Sequence, residues 1–560
     1  MCCFTRLFLD IILKSRYNQE EKCRTMIVTA DGKRRTEIQQ DLLPTRVIES
    51  HEVEYADGLL NFHAASVSFQ KEGWTRFHGS GSYVVLDFGK ELCGGIRMIT
   101  RDCKGCSRWR VTFGESLTES YAFVGYKNAT NDHSPRDMEV LVSSMSDLQF
   151  GQTGFRFVRL ELLSNEPVMT QSVFAVSHLP EFEREAAIVT SDGLLNKIIN
   201  TAAYTLKLNF QNGYIWDGIK RDRLVWCGDL HPEILASMYL FGDNDNIQNS
   251  LLFLKDSTPT DKWMNTVPSY SAWWVINLCD YCQMTGNRDF FLEHRDYAKE
   301  IISRYNRCIK EDGNIEFPDG GRKDYFLDWS TRGTDDAVVG VRALLCLMAE
   351  KYLAIEENEE CHRIHEKLAD CIEAETVLKP VLAFQVLAGR NKEEDHQMLE
   401  EGGAQGFSTF MAYYILTAMA NSGGTKSLQI LKEYYGGMLS KGATSFWEDF
   451  DISWMENSCR IDELPKEGET DIHGDYGRYC YKQFRHSLCH GWSSGVVAFV
   501  VEYILGIHIE NGGEKVYLSP HLLGIQDVEA KIPLKTGWLK LEIHGDEVSF
   551  EAPEGTEIIG

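Results

Sequence analysis

Residues 217–229 read Asp-Gly-Ile-Lys-Arg-Asp-Arg-Leu-Val-Trp-Cys-Gly-Asp. Three carboxylates (Asp217, Asp222, Asp229), two guanidinium groups (Arg221, Arg223) and the indole of Trp226 fall within thirteen residues, and Trp216 stands just outside. Buried charge is costly unless paired, so an ordinary core segment is not composed this way. Carboxylates and arginines bind hydroxyl groups in directed pairs, an indole covers the apolar face of a pyranose, and one carboxyl group can serve as proton donor. The combination suits a sugar pocket. A solvated, salt-bridged loop uses the same charges, but the interleaved Trp216 and Trp226 and the turn-forming Gly218 and Gly228 favour a site.

Three further stretches carry residues of the same kinds. Gly442-Ala443-Thr444-Ser445-Phe446-Trp447-Glu448 ends on a carboxylate beside an indole, although Trp-Glu also begins surface helices. Ser487-Leu488-Cys489-His490-Gly491-Trp492-Ser493-Ser494-Gly495 sets a histidine among glycines and a tryptophan. That pattern fits close backbone approach to a ligand as well as a satisfied structural histidine. Leu327-Asp328-Trp329 is the fourth stretch.

The first stretch resembles the catalytic loop of the bacterial α-L-rhamnosidases of glycoside hydrolase family 78, whose usual form is Asp-x-x-x-Arg-Asp-Glu-Arg-x-x-Trp-x-Gly-Asp. Asp217, Arg221, Asp222, Arg223, Trp226, Gly228 and Asp229 all find places in it. This chain is one residue shorter and has no glutamate between Asp222 and Arg223, where the family carries its general acid. Either Asp222 takes that role, one methylene shorter in reach, or the acid is missing; the shortened loop, which can bring Asp222 forward, favours the first. The second stretch resembles the family's Gly-Ala-Thr-Thr-x-Trp-Glu segment and makes Glu448 the expected general base. The third resembles the segment that opens the last barrel helix, where a histidine touches the sugar, here His490. The fourth resembles a Gly-Asp-Trp sugar-contacting turn, with Leu327 in place of the glycine.

The resemblance implies a two-carboxylate hydrolase removing terminal α-L-rhamnose with inversion. Asp222 is the expected acid and Glu448 the base, and inversion predicts roughly 6.5–9.5 Å between them. Asp217, Arg221, Trp226, Asp229, Asp328, Trp329, Trp447 and His490 are the expected substrate contacts. Trp226, Trp329, Trp447 and Trp492 are candidates for the pocket wall, at least one of which should prove to be core packing, as should Trp273 and Trp274. Arg221 is expected to face sugar hydroxyls or Asp217. An acid at Asp222 must stay protonated, which nearby Glu448 or Asp229 and partial burial would assist. Two alternatives stay open: another six-hairpin glycosidase with a different sugar, and a carbohydrate-binding protein with an impaired acid.

These residues need a scaffold to hold them together. From Met26 to about residue 180 short β-rich runs, among them 82–88 and 108–113, alternate with Gly and Asn/Asp clusters, as in a sandwich. At Ser191, a candidate N-cap, the period changes: Leu194, Leu195, Ile198, Ile199, Ala202 and Leu206 follow helical spacing. Helical patterns then continue to about residue 506, enough for about six helical hairpins. After Gly512-Gly513 alternation returns, in Val528 to Leu534 and Trp538 to Ile543. Length allows a bundle, a solenoid or a barrel; the resemblance selects an (α/α)6-barrel catalytic domain flanked by N-terminal and C-terminal antiparallel β-sandwich domains. The expected division is an extension over 1–25 with little structure, a sandwich over 26–185, the barrel over 186–508 and a sandwich over 509–560.

Composition sets the outer limits. A 560-residue chain that is 43% hydrophobic and 25% charged is a soluble multidomain protein. Its net charge of −26 argues against nucleic acid, anionic membrane or polyanionic substrates and suits a neutral glycoside. Sixteen scattered cysteines point to a reducing compartment, hence the cytoplasm. Cys103-x-x-Cys106 and Cys279-x-x-Cys282 lack the second pair a zinc site needs, so no metal and no cofactor is expected. The apolar run Leu7 to Leu13 is broken by Asp10 and too short to span a membrane. The expected partner is a small rhamnoside or oligosaccharide, and a homodimer is compatible with the sequence.

Overall fold

The computed structural model describes residues 22–28, 34–62, 67, 73–101, 105–317 and 325–560. The expectations for residues 1–21, including the apolar run, and for Cys103 lie outside the described residues. The chain divides into two compact units, one running through Tyr126 and continuing over Thr130–Glu181, the other comprising Lys127–Ala129 and Phe182–Gly560.

The first unit is built on one ten-stranded antiparallel sheet. Its strands are β1 (Lys22–Val28), β2 (Arg34–Leu42), β3 (Arg46–His51), β4 (Val53–Glu54), β5 (Thr75–Phe77), β6 (Tyr83–Arg101), β7 (Cys106–Gly114), β8 (Asp137–Ser143), β9 (Ser146–Leu162) and β10 (Val168–Pro180). The main path is β1-β2-β10-β6-β9-β7-β8, and β3 pairs with β6. In β7 Ser107, Trp109 and Val111 point inward. The ring of Trp109 meets Phe77 edge-on at 4.8 Å. At Gly94 an added Cβ would collide with the carbonyl oxygen of Val176 across the β6–β10 pairing, so only glycine fits there. A short helix, α1 (Leu117–Tyr121), follows β7.

The second unit opens with β11 (Ala187–Thr190) and α2 (Gly193–Asn209), which buries Leu195, Ile198, Ile199, Ala202 and Leu206 of the expected stripe and leaves Leu194 exposed. Its N-cap is Asp192, not Ser191: the Asp192 carboxylate accepts from the amides of Leu194 (2.9 Å) and Leu195 (3.0 Å). Ser191 instead accepts from the Gln526 and Asp527 amides with its hydroxyl. The hairpin β12 (Phe210–Gln211) and β13 (Tyr214–Ile215) leads into the first candidate loop. The helices that follow are α3 (Leu230–Phe241), α4 (Asp245–Ser257), α5 (Pro268–Thr285), α6 (Arg288–Cys308), α7 (Asp336–Leu353), α8 (Glu359–Leu368), α9 (Lys379–Leu387), α10 (Asp395–Glu400), α11 (Ala412–Asn421) and α12 (Ser427–Ser440). Helix α5 is buried almost all round, so Trp273, Trp274, Cys279 and Cys282 are core residues. The helical run expected over 495–505 comprises α13 (Val496–Phe499) and a π-helical segment (Val500–Ile504), preceded by a 3₁₀ segment (Gly491–Gly495). No helix among the described residues is long and apolar enough to cross a membrane.

The remaining strands are β14 (Ile507–Glu510), β15 (Lys515–Leu518), β16 (Asp527–Leu534), β17 (Gly537–His544), β18 (Glu547–Glu551) and β19 (Glu557–Ile559). They form two small sheets, β11-β16-β17-β18 and β14-β15-β19. Two features correct the expectation of a separate antiparallel sandwich. The β15–β19 pairing is parallel, and the four-stranded sheet takes in β11 from ahead of the helices.

Candidate active site

The loop between β13 and α3 is closed on itself by Asp217. Its amide donates to the Leu224 carbonyl at 2.9 Å, and its Oδ1 accepts from the Leu224 amide at 2.9 Å. Inside this closure Asp222 and Arg223 both take left-handed backbone angles, φ 59° and 55°. Such conformations cost non-glycine residues about 1–3 kcal/mol each and concentrate at functional sites. The Arg223 guanidinium lies over the Trp216 ring at 4.7 Å. The Gly491 amide donates to the Asp217 carbonyl at 2.7 Å, which ties this loop to the His490 segment.

Glu448 is fixed by that same segment. Its amide donates to the Ser487 carbonyl at 3.0 Å, its Oε2 accepts from the Ser487 amide at 2.9 Å, and its carbonyl accepts from Trp492 Nε1 at 3.1 Å. The His490 amide donates to the Phe446 carbonyl at 3.0 Å. The two stretches singled out in sequence, 442–448 and 487–495, are thus zipped together.

Arg221 corrects one expectation. Its guanidinium donates to Asp222 Oδ2 at 2.7 Å and, from its other terminal nitrogen, to Glu448 Oε1. The planar fork of arginine spans two carboxylates at once, and here those are the expected acid and base rather than Asp217. Burial alone would lower the pKa of Arg221, but Glu448 and Asp222 raise it further, so its charge is secure.

The other carboxyl groups gather around His490. Its Nε2 lies 3.8 Å from Asp217 Oδ2, 3.9 Å from Asp229 Oδ1 and 3.8 Å from Glu448 Oε1, beyond hydrogen-bonding distance. Burial, then Arg221 and His486, pushes this imidazole well below its usual pKa, so it is neutral. Burial also pushes Asp217 and Asp229 well above the usual carboxyl range, Asp217 with added repulsion from Asp222 and Asp229. Asp229 precedes α3 in helical geometry and does not cap it; its Oδ2 accepts from the Tyr270 hydroxyl at 3.1 Å. Glu448 is pushed up to about 7: burial and Asp222 raise it, while Arg221 lowers it. The cluster therefore sets buried acids with raised pKa values beside a carboxyl group that titrates near neutrality.

A narrow cavity adjoins Glu448, lined by Asp328, Trp329, Ser330, Ser408, Phe410, Asp449, Arg478, Tyr479, Tyr481 and Trp492. Asp328 caps a 3₁₀ turn, accepting from the Ser330 amide at 3.1 Å, and burial raises its pKa. Trp329 stacks on Tyr479 at 5.9 Å. Trp226 is half-buried, edge-on to Tyr270. Trp447 is buried against Phe450 and His486 and does not line this cavity. The structure thus brings Asp217, Arg221, Asp222, Asp229, Glu448 and His490 into one cluster, and Asp328 and Trp329 to the cavity beside it.

Asp449, Arg478, Tyr479 and Tyr481 are cavity residues that the sequence reading missed. Asp449 directly follows Glu448, and the aromatic-basic run Arg478 to Tyr481 in an irregular stretch is the signal that was available.

No curated protein matches the chain. Among solved structures, the fold is similar to that of the family 78 rhamnosidase of Bacillus sp. GL1 (TM-score 0.71, 18% identity, covering 90% of this chain and 55% of that one). It is also similar to a rhamnosidase from Klebsiella oxytoca with rhamnose bound (TM-score 0.66, 18% identity, 84% and 96%). A third is the Streptomyces avermitilis α-L-rhamnosidase complexed with L-rhamnose (TM-score 0.66, 14% identity, 93% and 50%). The chain thus spans about half the length of the Bacillus and Streptomyces proteins. Residues 183–336 match the family profile of the bacterial α-L-rhamnosidase six-hairpin glycosidase domain, a stretch that contains Asp217 to Asp229 and Asp328, with Glu448 and His490 beyond it. Residues 183–336 are thus similar to the six-hairpin glycosidase domain of bacterial α-L-rhamnosidases, and most of the chain shares its fold with solved rhamnosidases.

Proposed function

We propose that the protein is a glycoside hydrolase that removes terminal α-L-rhamnose from small rhamnosides by inversion. The observation that carries this reading is the meeting of Asp222 and Glu448 on one guanidinium, that of Arg221, beside an aromatic-walled cavity. In the proposed reaction Asp222 protonates the glycosidic oxygen as its bond to the anomeric carbon breaks. Glu448 takes a proton from the water that attacks the opposite face. His490, Asp217, Asp229, Trp226, Asp328 and Trp329 hold the sugar. The architecture proposed with it is an (α/α)6 barrel preceded in the chain by a β-sandwich. A reducing, cytoplasmic location is proposed on the sixteen scattered cysteines of the sequence.

A second reading has its own support. Asp222 is already bound by Arg221, whereas Asp217 is a buried carboxyl held well above its usual pKa, which makes Asp217 the alternative acid. Hydrolysis of 4-nitrophenyl α-L-rhamnopyranoside by wild type, Asp222→Asn, Asp217→Asn and Glu448→Gln separates the two. Loss of about 10²–10⁴ in kcat is expected for the true acid and for Glu448→Gln, with β-L-rhamnose as the first product by NMR. Retained activity in Asp222→Asn with loss in Asp217→Asn would move the acid to Asp217. Sugar binding without turnover would identify a binding protein, and turnover of another glycoside alone a different glycosidase.

A further inference from the structure

Asp449 has no part in the reading above, yet its buried carboxylate is only partly satisfied. Its amide donates to His486 Nε2 at 2.9 Å, which fixes the residue's direction. Oδ1 faces Arg478 at 3.7 Å, too far for a hydrogen bond. Oδ2 is buried with no hydrogen-bond partner in the protein. A buried acceptor left in that state is costly, and a ligand that donates to it relieves the cost. Asp449 lines the cavity together with Asp328, Trp329, Tyr479 and Glu448. The cavity's volume is about 10 Å³, room for about one water-sized group. A single hydroxyl fits where a ring does not. Three carboxyl groups around the space disfavour an anion, and the stacked Trp329 and Tyr479 offer aromatic surface beside it.

We propose that Asp449 is a substrate-binding residue that selects the sugar: one ring hydroxyl enters this cavity and donates a hydrogen bond to Oδ2. The proposal rests on the glycosidase reading and names a contact that reading lacks. Burial raises the carboxyl to about 6, against the pull of Arg478, so at neutral pH it is ionised and a strong acceptor.

The test compares wild type, Asp449→Asn and Asp449→Ala on 4-nitrophenyl α-L-rhamnopyranoside and its 2-, 3- and 4-deoxy analogues. Asp449→Ala is expected to lower kcat/KM on the parent by about 10- to 100-fold and to differ little from wild type on one of the deoxy analogues. Equal losses on all four substrates, or none on any, would overturn the proposal and leave Asp449 as an anchor for Arg478 and His486. Asp449→Asn keeps the side-chain volume and an acceptor oxygen; it should melt like wild type and lose less, and it decides the matter if the alanine variant does not fold. If wild type turns over none of the four, the rhamnosidase reading fails by itself. Calorimetric titration of L-rhamnose, L-fucose, D-mannose and D-glucose into wild type and Asp449→Asn then decides. Binding weakened in the variant supports the proposal; unchanged binding, or binding of no sugar, overturns it.

Discussion

Arg221 holds two carboxylates on one guanidinium, and that sharing governs how the site titrates. Burial drives Glu448 up to about 7 against the lowering effect of Arg221. A general base works only when ionised, so the acidic limb of the kcat/KM profile should rise about tenfold per pH unit below 7. Arg221→Met removes the lowering influence, and the acidic limb should then move to higher pH in a pH–rate profile. An unmoved limb would mean that another group sets it. The carboxylates and His490 were legible in the sequence because charges beside tryptophans and glycines are an unusual composition for a core. Their pairing was not: Arg221 and Glu448 lie 227 positions apart, and adjacency in sequence does not say where a side chain points. Leu327, which replaces the family's glycine, is a departure the structure explains. Its side chain fills space left by Gly340 of α7, where an added Cβ would fall 2.5 Å from Leu327 Cδ2.

Elements position the site through backbone pairing of irregular segments more than through helices. Residues 445–449 and 486–493 are joined by the Glu448–Ser487, Phe446–His490 and Ser445–Leu488 hydrogen bonds. No periodicity announces such a pairing, so a sequence reading could find both strands of the zipper but not the zipper. Helices are more legible: the buried stripe of α2 follows directly from its spacing. Its start was read one residue early because serine and aspartate are both good caps, and the Ser191 hydroxyl is taken up by the Gln526 and Asp527 amides. The cap can be tested. Asp192→Ala should cost about 1 kcal/mol in urea unfolding at neutral pH. Burial alone would raise the pKa of Asp192, but the hydrogen bond from Lys432 and the Leu195 and Leu194 amides hold it below the usual value. Its contribution is thus complete above the unfolded-state pKa near 4 and is lost as pH falls through the lower folded value. Wild type and variant should therefore converge in acid; a constant difference down to low pH would show that the carboxylate is not the source.

At the scale of the whole molecule, the order of strand-rich, helical and strand-rich regions was legible from hydrophobic period alone, but their dependence on one another was not. The sheet β11-β16-β17-β18 joins a strand ahead of the helices to strands behind them. One apolar core runs from Ile188 and Ile198 through the helices to Val528, Ile532, Leu539, Leu541 and Ile543. Period marks each strand separately; partners more than three hundred residues apart leave no local trace. The consequence is measurable. A chain ending after Leu505 loses those five buried side chains, each worth roughly 1.5–3 kcal/mol, or about 7–15 kcal/mol together. That matches the whole stability of an ordinary domain, about 5–15 kcal/mol, before counting the unpaired edge of β11 or the newly exposed faces of α3 and α5. The truncated chain should therefore lose its cooperative thermal transition and collect in the insoluble fraction, although every residue proposed for catalysis and sugar contact is still present. A soluble truncated chain that melts in a single transition within a few degrees of the full chain would mean that the helices form a core sufficient in itself, and that the C-terminal sheets are an attachment rather than part of the catalytic unit.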